Sequence, residues 1–109
     1  LKYMAGRLKA SVRDFDTVAR LGGDEFLIML LEVGDENNNF TEVVENKTKE
    51  ILTRVSMPCV VQEMEFSVTA SAGIAIFPQD GDDPHVLLRN ADTAMYRSKR
   101  KGRNTYEVF

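Results

Sequence analysis

The 109-residue sequence has little that would support a stapled or metal-clasped fold. It carries one cysteine, Cys59, so no disulfide can close within the chain. With one histidine, His85, it cannot assemble a Cys/His zinc site either. The absence of disulfides fits a reducing cytosol. No apolar run approaches the ~20 residues that a membrane-spanning helix needs, and the opening residues do not read as a signal peptide. There is no internal repeat, low-complexity tract or linker. The chain does not begin with Met, and its first residue already sits inside a helical pattern, so the natural start is expected upstream. A net charge of −3 argues against a surface built for nucleic acid.

What is present is globular in balance, with 43% hydrophobic and 28% charged residues. A chain of this size favours one domain and can bury roughly two-thirds of its unfolded surface. Charge is uneven. Residues 97–103 read Arg-Ser-Lys-Arg-Lys-Gly-Arg, whereas acids dominate between Asp35 and Glu50 and between Asp80 and Asp83. A local anion site is therefore compatible with the acidic total.

Leu1, Met4, Ala5, Leu8 and Val12 recur at helical spacing, which predicts a helix over 1–13. Residues 17–21 suit a short strand, and Gly22-Gly23 makes a two-residue turn. The uncharged run Phe26 to Leu31 predicts a strand buried on both faces, in the middle of a sheet. After a polar turn at Asp35–Asn39, Phe40 to Ser56 reads as a helix that Thr41 could cap and Pro58 terminates. Cys59 to Gln62 and Glu65 to Phe77 predict two strands around a tight turn, the second alternating Phe66, Val68, Ala70, Ala72 against Ser67, Thr69, Ser71. A loop from Pro78 to Pro84, a helix over 84–101 stopped by Gly102, and a strand from Thr105 to Phe109 complete the order. The two-residue turns require antiparallel neighbours, so the fold class is α+β, a mixed, mostly antiparallel sheet flanked by helices.

Four places could carry chemistry. Arg20-Leu21-Gly22-Gly23-Asp24-Glu25-Phe26 sets two carboxylates just after a turn without side chains. Backbone there can approach a phosphate closely, and a carboxylate beside it could hold Mg2+. A plain Gly-Gly hairpin with solvated acids explains the same residues, and the residues alone favour that plainer account. Lys99, Arg100, Lys101 and Arg103, followed by Asn104, form a basic helix end. Lys99 and Arg103 would share a face if the helix persists, and could clamp a triphosphate. Cations complementing a helix C-terminus are the simpler account. Arg13-Asp14-Phe15-Asp16 offers an Arg and an Asp able to grip guanine or phosphate, although Arg-x-x-Asp recurs at Arg89 to Asp92, where it predicts an i,i+3 surface pair. Asp92 and His85 read as surface groups.

The order and spacing of these pieces are more specific than any one of them. Arg20-Leu-Gly-Gly-Asp-Glu-Phe26 resembles the name-giving motif of the diguanylate cyclase (GGDEF) family, with its usual preceding Arg. Arg13 and Asp16 stand where that family carries its inhibitory product-binding pair. Val68-Thr-Ala-Ser-Ala-Gly-Ile74 and Ala91-Asp-Thr-Ala-Met-Tyr96, then Lys99, Gly102, Arg103 and Asn104, resemble its later strand and closing helix. The resemblance runs end to end. It implies a nucleotidyl-cyclase, ferredoxin-like palm with the hairpin at residues 22–25, and condensation of two GTP into cyclic di-GMP and pyrophosphate between two such domains. It implies catalytic roles for Asp24 and Glu25, Mg2+ (or Mn2+) on Asp24, phosphate contacts from Gly22, Gly23, Lys99 and Arg103, and product inhibition through Arg13 and Asp16. It also implies that the family's first strand, with a further metal-binding Asp, and the guanine-recognising helix after it precede this chain, and that residues 1–109 are the C-terminal portion of one GGDEF domain. Expected partners are GTP, cyclic di-GMP, a second GGDEF domain, and a sensor or phosphodiesterase (EAL) domain in the same parent, with no nucleic acid. The domain is expected in the cytoplasm, of a parent that is free or membrane-anchored. The alternative is a catalytically silent module that binds GTP or cyclic di-GMP and regulates an attached domain.

Overall fold

A computed structural model describes residues 2–14, 16–31 and 40–109. The polar turn expected at Asp35–Asn39 lies outside them. The chain forms two compact units, Leu1–Val55 and Ser56–Phe109.

In the first unit, helix α1 (Lys2–Ala10) is followed by strands β1 (Thr17–Gly22) and β2 (Glu25–Met29), then helix α2 (Phe40–Ser56). Helix α1 is shorter than the 1–13 expected, because Ser11 turns the chain: its amide donates to the Leu8 carbonyl at 3.1 Å and its hydroxyl to Arg7 at 2.7 Å. Leu8 is buried. In α2 the buried Val44, Thr48, Ile51 and Val55 fall three or four residues apart on one face. The last carbonyls of a helix lack internal partners, and Arg7 supplies them here: its Nη1 donates to Arg54 and Val55 at 3.2 and 3.1 Å. The helix begins at Phe40, ahead of the Thr41 expected to cap it.

Strands β1 and β2 pair antiparallel from Thr17↔Met29 to Gly22↔Glu25, with a bulge between Arg20 and Gly22. The expectation of a strand buried on both faces fails. Among the described residues β2 pairs with β1 alone, and Met29 is 49% exposed. An uncharged run reports what a strand can tolerate, and the number of its neighbours is set elsewhere in the chain.

The second unit holds β3 (Cys59–Val61), β4 (Met64–Phe66), β5 (Ala72–Ile74), α3 (Pro84–Arg100) and β6 (Tyr106–Val108). Strands β3 and β4 form an antiparallel hairpin across Gln62 and Glu63, both at positive φ, as a primed two-residue turn requires. The single strand expected over Glu65–Phe77 is two. Residues 67–71 make no ladder, and β5 pairs parallel with β6. Period-two alternation marks an extended, half-buried segment without naming its partner.

Gly73 explains the seat of α3. A Cβ there would lie 2.0 Å from the Ala91 carbonyl oxygen and 2.3 Å from the Met95 amide nitrogen. Only a residue without a side chain lets the helix backbone come so near the strand. Ala94 and Ser98 on α3 are fully buried, with Ile74 and Ile76 beside them in the core of this unit. Asp83 caps α3 through His85 N at 2.7 Å and Val86 N at 3.4 Å, with Pro84 at the first turn. Asn90 donates to the Asp80 carbonyl at 2.7 Å, and the Asp80 carboxylate accepts from Ile76 N at 2.9 Å, so the loop before α3 is tied to it. The α+β class expected from the sequence stands: the described residues form three helices with two antiparallel pairs and one parallel pair of strands.

Gly73→Ala should destabilise the complete protein by at least about 1–3 kcal/mol, the scale of overpacking. Gly6→Ala, in α1 with open space around its Cβ, should instead gain ~0.5–1 kcal/mol. Urea unfolding of the two variants checks the pair.

Candidate functional site

The hairpin tip presents the motif. Gly22 and Gly23 lie at φ 149° and 53°, where an L side chain is strained. Among the described residues no atom comes within 4 Å of a Cβ built on either, so these residues leave the space beside this backbone open. The turn differs from the expected Gly22-Gly23. Gly22 stays in the ladder opposite Glu25, and Gly23 and Asp24 are the turn residues. Arg20 closes the tip from below, its Nε donating to the Gly23 carbonyl at 2.8 Å. Asp24 and Glu25 are both exposed. They differ in setting: Asp24 is in the turn and Glu25 opens β2. Among the described residues no three His, Cys, Asp or Glu side chains cluster as a metal cage. Two adjacent exposed carboxylates fit Mg2+ nonetheless, since that ion is commonly held by one or two carboxylates plus substrate phosphates.

The Arg13–Asp16 site lies at the root of the same hairpin. The Asp16 side chain is 0% exposed and that of Arg13 is 42% exposed. One Asp16 oxygen accepts from Arg13 N at 2.9 Å and Arg13 Nε at 3.0 Å. The other accepts from Arg13 Nη2 at 3.2 Å and Leu31 N at 2.9 Å. Arg13 Nη2 also donates to the Leu31 carbonyl. The Arg13 guanidinium, helped by the Leu31 and Arg13 amides, holds the Asp16 carboxyl at about 2 against the opposing effect of burial. Leu31 takes part through its main chain, so no side-chain pattern could have revealed it.

The basic segment belongs to the second unit. Helix α3 ends at Arg100, the Gly102 amide donates to Lys99 O at 3.4 Å, and that of Arg103 to Ser98 O at 3.4 Å. Gly102, Arg103 and Asn104 then take φ of 119°, 64° and 47°. Lys99 and Arg103 therefore do not share a helical face as the spacing suggested, because the chain has left the helix at Gly102. Both are exposed. Lys101 pairs with Glu107, and the Arg97 guanidinium lies 5.8 Å from the Phe109 ring centroid. The surface pair expected between Arg89 and Asp92 is not among the ion pairs of the described residues. Asp92 and His85 are exposed, as expected.

Residues 1–105 match the family described as diguanylate cyclase, GGDEF domain. The chain belongs to that family. It is 42% identical over 106 residues to the bifunctional diguanylate cyclase/cyclic di-GMP phosphodiesterase MucR of Pseudomonas aeruginosa, covering 97% of this chain and 15% of MucR. It is 33% identical to the diguanylate cyclase TpbB of the same species, covering 96% of this chain and 23% of TpbB. Among solved structures, an EAL/GGDEF domain protein from M. capsulatus is 43% identical with a TM-score of 0.84, over 100% of this chain and 67% of that one. The GGDEF domain of TpbB superposes with a TM-score of 0.87 at 31% identity, over 97% of this chain and 63% of that one. The chain thus spans less than a quarter of these two curated relatives.

The ion pair carries an acid dependence. Its carboxyl titrates at about 2 when folded and near 3.8 when unfolded, so the unfolded chain takes up the proton first. A stabilisation of about 2 kcal/mol is then present above about pH 4 and disappears as pH falls toward about 2. Urea unfolding across that range should show the loss in the native protein and lack it in Asp16→Asn. Parallel acid profiles would exclude the pair as the cause.

Proposed function

We propose that this chain is the part of a diguanylate cyclase domain that presents the catalytic hairpin, and that the complete domain condenses two GTP into cyclic di-GMP. The observation that carries this reading is the tip: two glycines at positive φ with open space beside them, and an exposed Asp24 in the turn. In each of two steps a 3′-hydroxyl oxygen bonds to the α-phosphorus of the other nucleotide while the bond to the β-phosphate breaks and pyrophosphate leaves. Gly22 and Gly23 admit the phosphates to the backbone. Asp24 would hold Mg2+ (or Mn2+) and would help take the hydroxyl proton, with Glu25 as the second acid. A divalent cation held there would offset phosphate charge and lower the hydroxyl pKa. Lys99 and Arg103 hold the terminal phosphate. Because each domain offers one nucleotide to the other, the working form is a pair of domains.

The Arg13–Asp16 pair is the inhibitory cyclic di-GMP site. No helix among the described residues is long and apolar enough to cross a membrane. On this reading the domain works on GTP in the cytoplasm, within a parent, free or membrane-anchored, that carries a sensor or EAL domain.

A second reading has support among the relatives. The chain is 38% identical over 92 residues to the cyclic di-GMP phosphodiesterase PdeR of Escherichia coli and 30% identical to the phosphodiesterase NbdA of P. aeruginosa. In that case the domain binds nucleotide and regulates its neighbour.

The complete protein with GTP and Mg2+ should yield cyclic di-GMP by mass spectrometry, and Asp24→Ala should cut the rate by about 100-fold or more. Nucleotide binding without product would establish the regulatory reading instead.

A further inference from the structure

We infer that Ser98 is a positioning residue for Arg103: its carbonyl and its hydroxyl latch the turn between α3 and β6, and the latch holds Arg103 in place to meet a terminal phosphate. This rests on the reading of Arg103 as a contact to the terminal phosphate of GTP. It adds a residue that is 0% exposed, and so acts through Arg103 and not on the nucleotide.

The backbone poses the question. Among the described residues other than glycine, Gln62, Glu63, Arg103 and Asn104 take positive φ. Gln62 and Glu63 form the β3–β4 turn, whose primed type requires it. Arg103 and Asn104, at 64° and 47°, serve no hairpin. Left-handed backbone is costly for a residue with a side chain, and Arg is not among the types enriched there. Something has to hold the pair.

Ser98 does so from both sides. Its carbonyl accepts from Lys101 N at 3.2 Å and from Arg103 N at 3.4 Å. Its hydroxyl donates to the Thr105 carbonyl at 2.8 Å. One buried residue thus grips the chain at 103 and again at 105, with the left-handed pair between. The amide bond at 3.4 Å is long and the hydroxyl bond is short, so the hydroxyl is the firmer grip. Among the described residues none forms a hydrogen bond or ion pair with the Arg103 side chain. The place of its guanidinium therefore depends on the main chain beneath it. A long side chain already has rotamers to order on binding. A main chain that also had to be ordered would weaken the phosphate contact further.

Calorimetry on the complete protein tests this with two ligands that cannot cyclise, a GTP analogue and a GDP analogue, each with a methylene bridge between the α- and β-phosphates. The ratio of their affinities isolates the terminal phosphate. A merely structural loss would weaken both alike and leave the ratio unchanged. Arg103→Ala should lower the triphosphate preference by about tenfold or more, the scale of a lost charge-assisted bond. Ser98→Ala should lower it by about threefold or more, the scale of one neutral hydrogen bond. In the Arg103→Ala background, Ser98→Ala should change it by less than about twofold, because the residue through which Ser98 acts is gone. An unchanged ratio in Ser98→Ala, or an equal fall with and without Arg103, would overturn the proposal. An unchanged ratio in Arg103→Ala would sink the phosphate reading itself, and the proposal with it. Thr105 O keeps its bond from Ala72 N at 3.0 Å when the hydroxyl is removed, so Ser98→Ala strands no acceptor. Should it still fail to fold, Ser98→Cys keeps a weak donor in the same space. A lowered ratio there supports the latch, and a native ratio overturns it.

Discussion

Asp16 is the one ionisable side chain among the buried groups of the described residues, and the first unit is arranged around that fact. A carboxylate taken out of water loses far more solvation than one hydrogen bond restores. It is tolerated when donors surround it, and here they come from two places: the turn leaving α1 and the chain leaving β2. The geometry follows from that requirement. Asp16 precedes Thr17, and Leu31 lies two residues past Met29, so the clamp closes the open end of a ladder that starts at Thr17↔Met29. The far end is closed by Arg20 on the Gly23 carbonyl. A two-stranded hairpin is marginal in water by itself. This one is pinned at root and tip by two arginines, and the pins leave Gly22, Gly23 and Asp24 projecting with open space beside them.

The second unit solves a different problem, the close seating of a helix on a short parallel pair. Gly73 permits the approach, and the Thr105 carbonyl joins the pieces: it accepts from Ala72 N at 3.0 Å and from the Ser98 hydroxyl at 2.8 Å. One acceptor thus links β5, the end of α3 and the start of β6. The three positive-φ residues between helix and strand are the short path that this junction allows. Arg103 owes its place to that path. Its position is set by a helix stop and a junction, and helical periodicity has no bearing on it.

Much of this was legible in the residues, and the failures have a common cause. The span of α2 was read directly because Val44, Ile51 and Val55 are placed by helical spacing and Pro58 blocks continuation. The stop of α3 at Gly102 is local chemistry of the same kind, whereas the cap at Asp83 is a finding of the structure. The misses are non-local. Whether Phe26–Leu31 has one neighbouring strand or two, and whether Ala72–Ile74 pairs with β4 or β6, are decided by residues far along the chain, and the pattern within a strand is the same in either case. The site divides likewise. The glycines and acids of the tip announce themselves, whereas the Leu31 main chain that completes the Arg13–Asp16 clamp carries no side-chain signature.

The family relationship and the local geometry bear on different questions. Relatives that share this chain's sequence at 30–42% identity are named as cyclases, as phosphodiesterases, or as both. Sharing the fold therefore does not select among those activities. The discriminating chemistry has to be sought in the few groups that would touch nucleotide, and there the two acids are not equivalent. Glu25 has its backbone fixed opposite Gly22 in the ladder, so its direction is set by the strand. Asp24 sits in a turn between a left-handed glycine and the strand start, exposed to any ligand that enters the open space beside Gly22 and Gly23. A carboxylate in that place can meet both a cation and a phosphate, and the pinned hairpin means that little ordering remains to be done when they arrive. That combination is what a cyclase needs and a purely regulatory domain could do without.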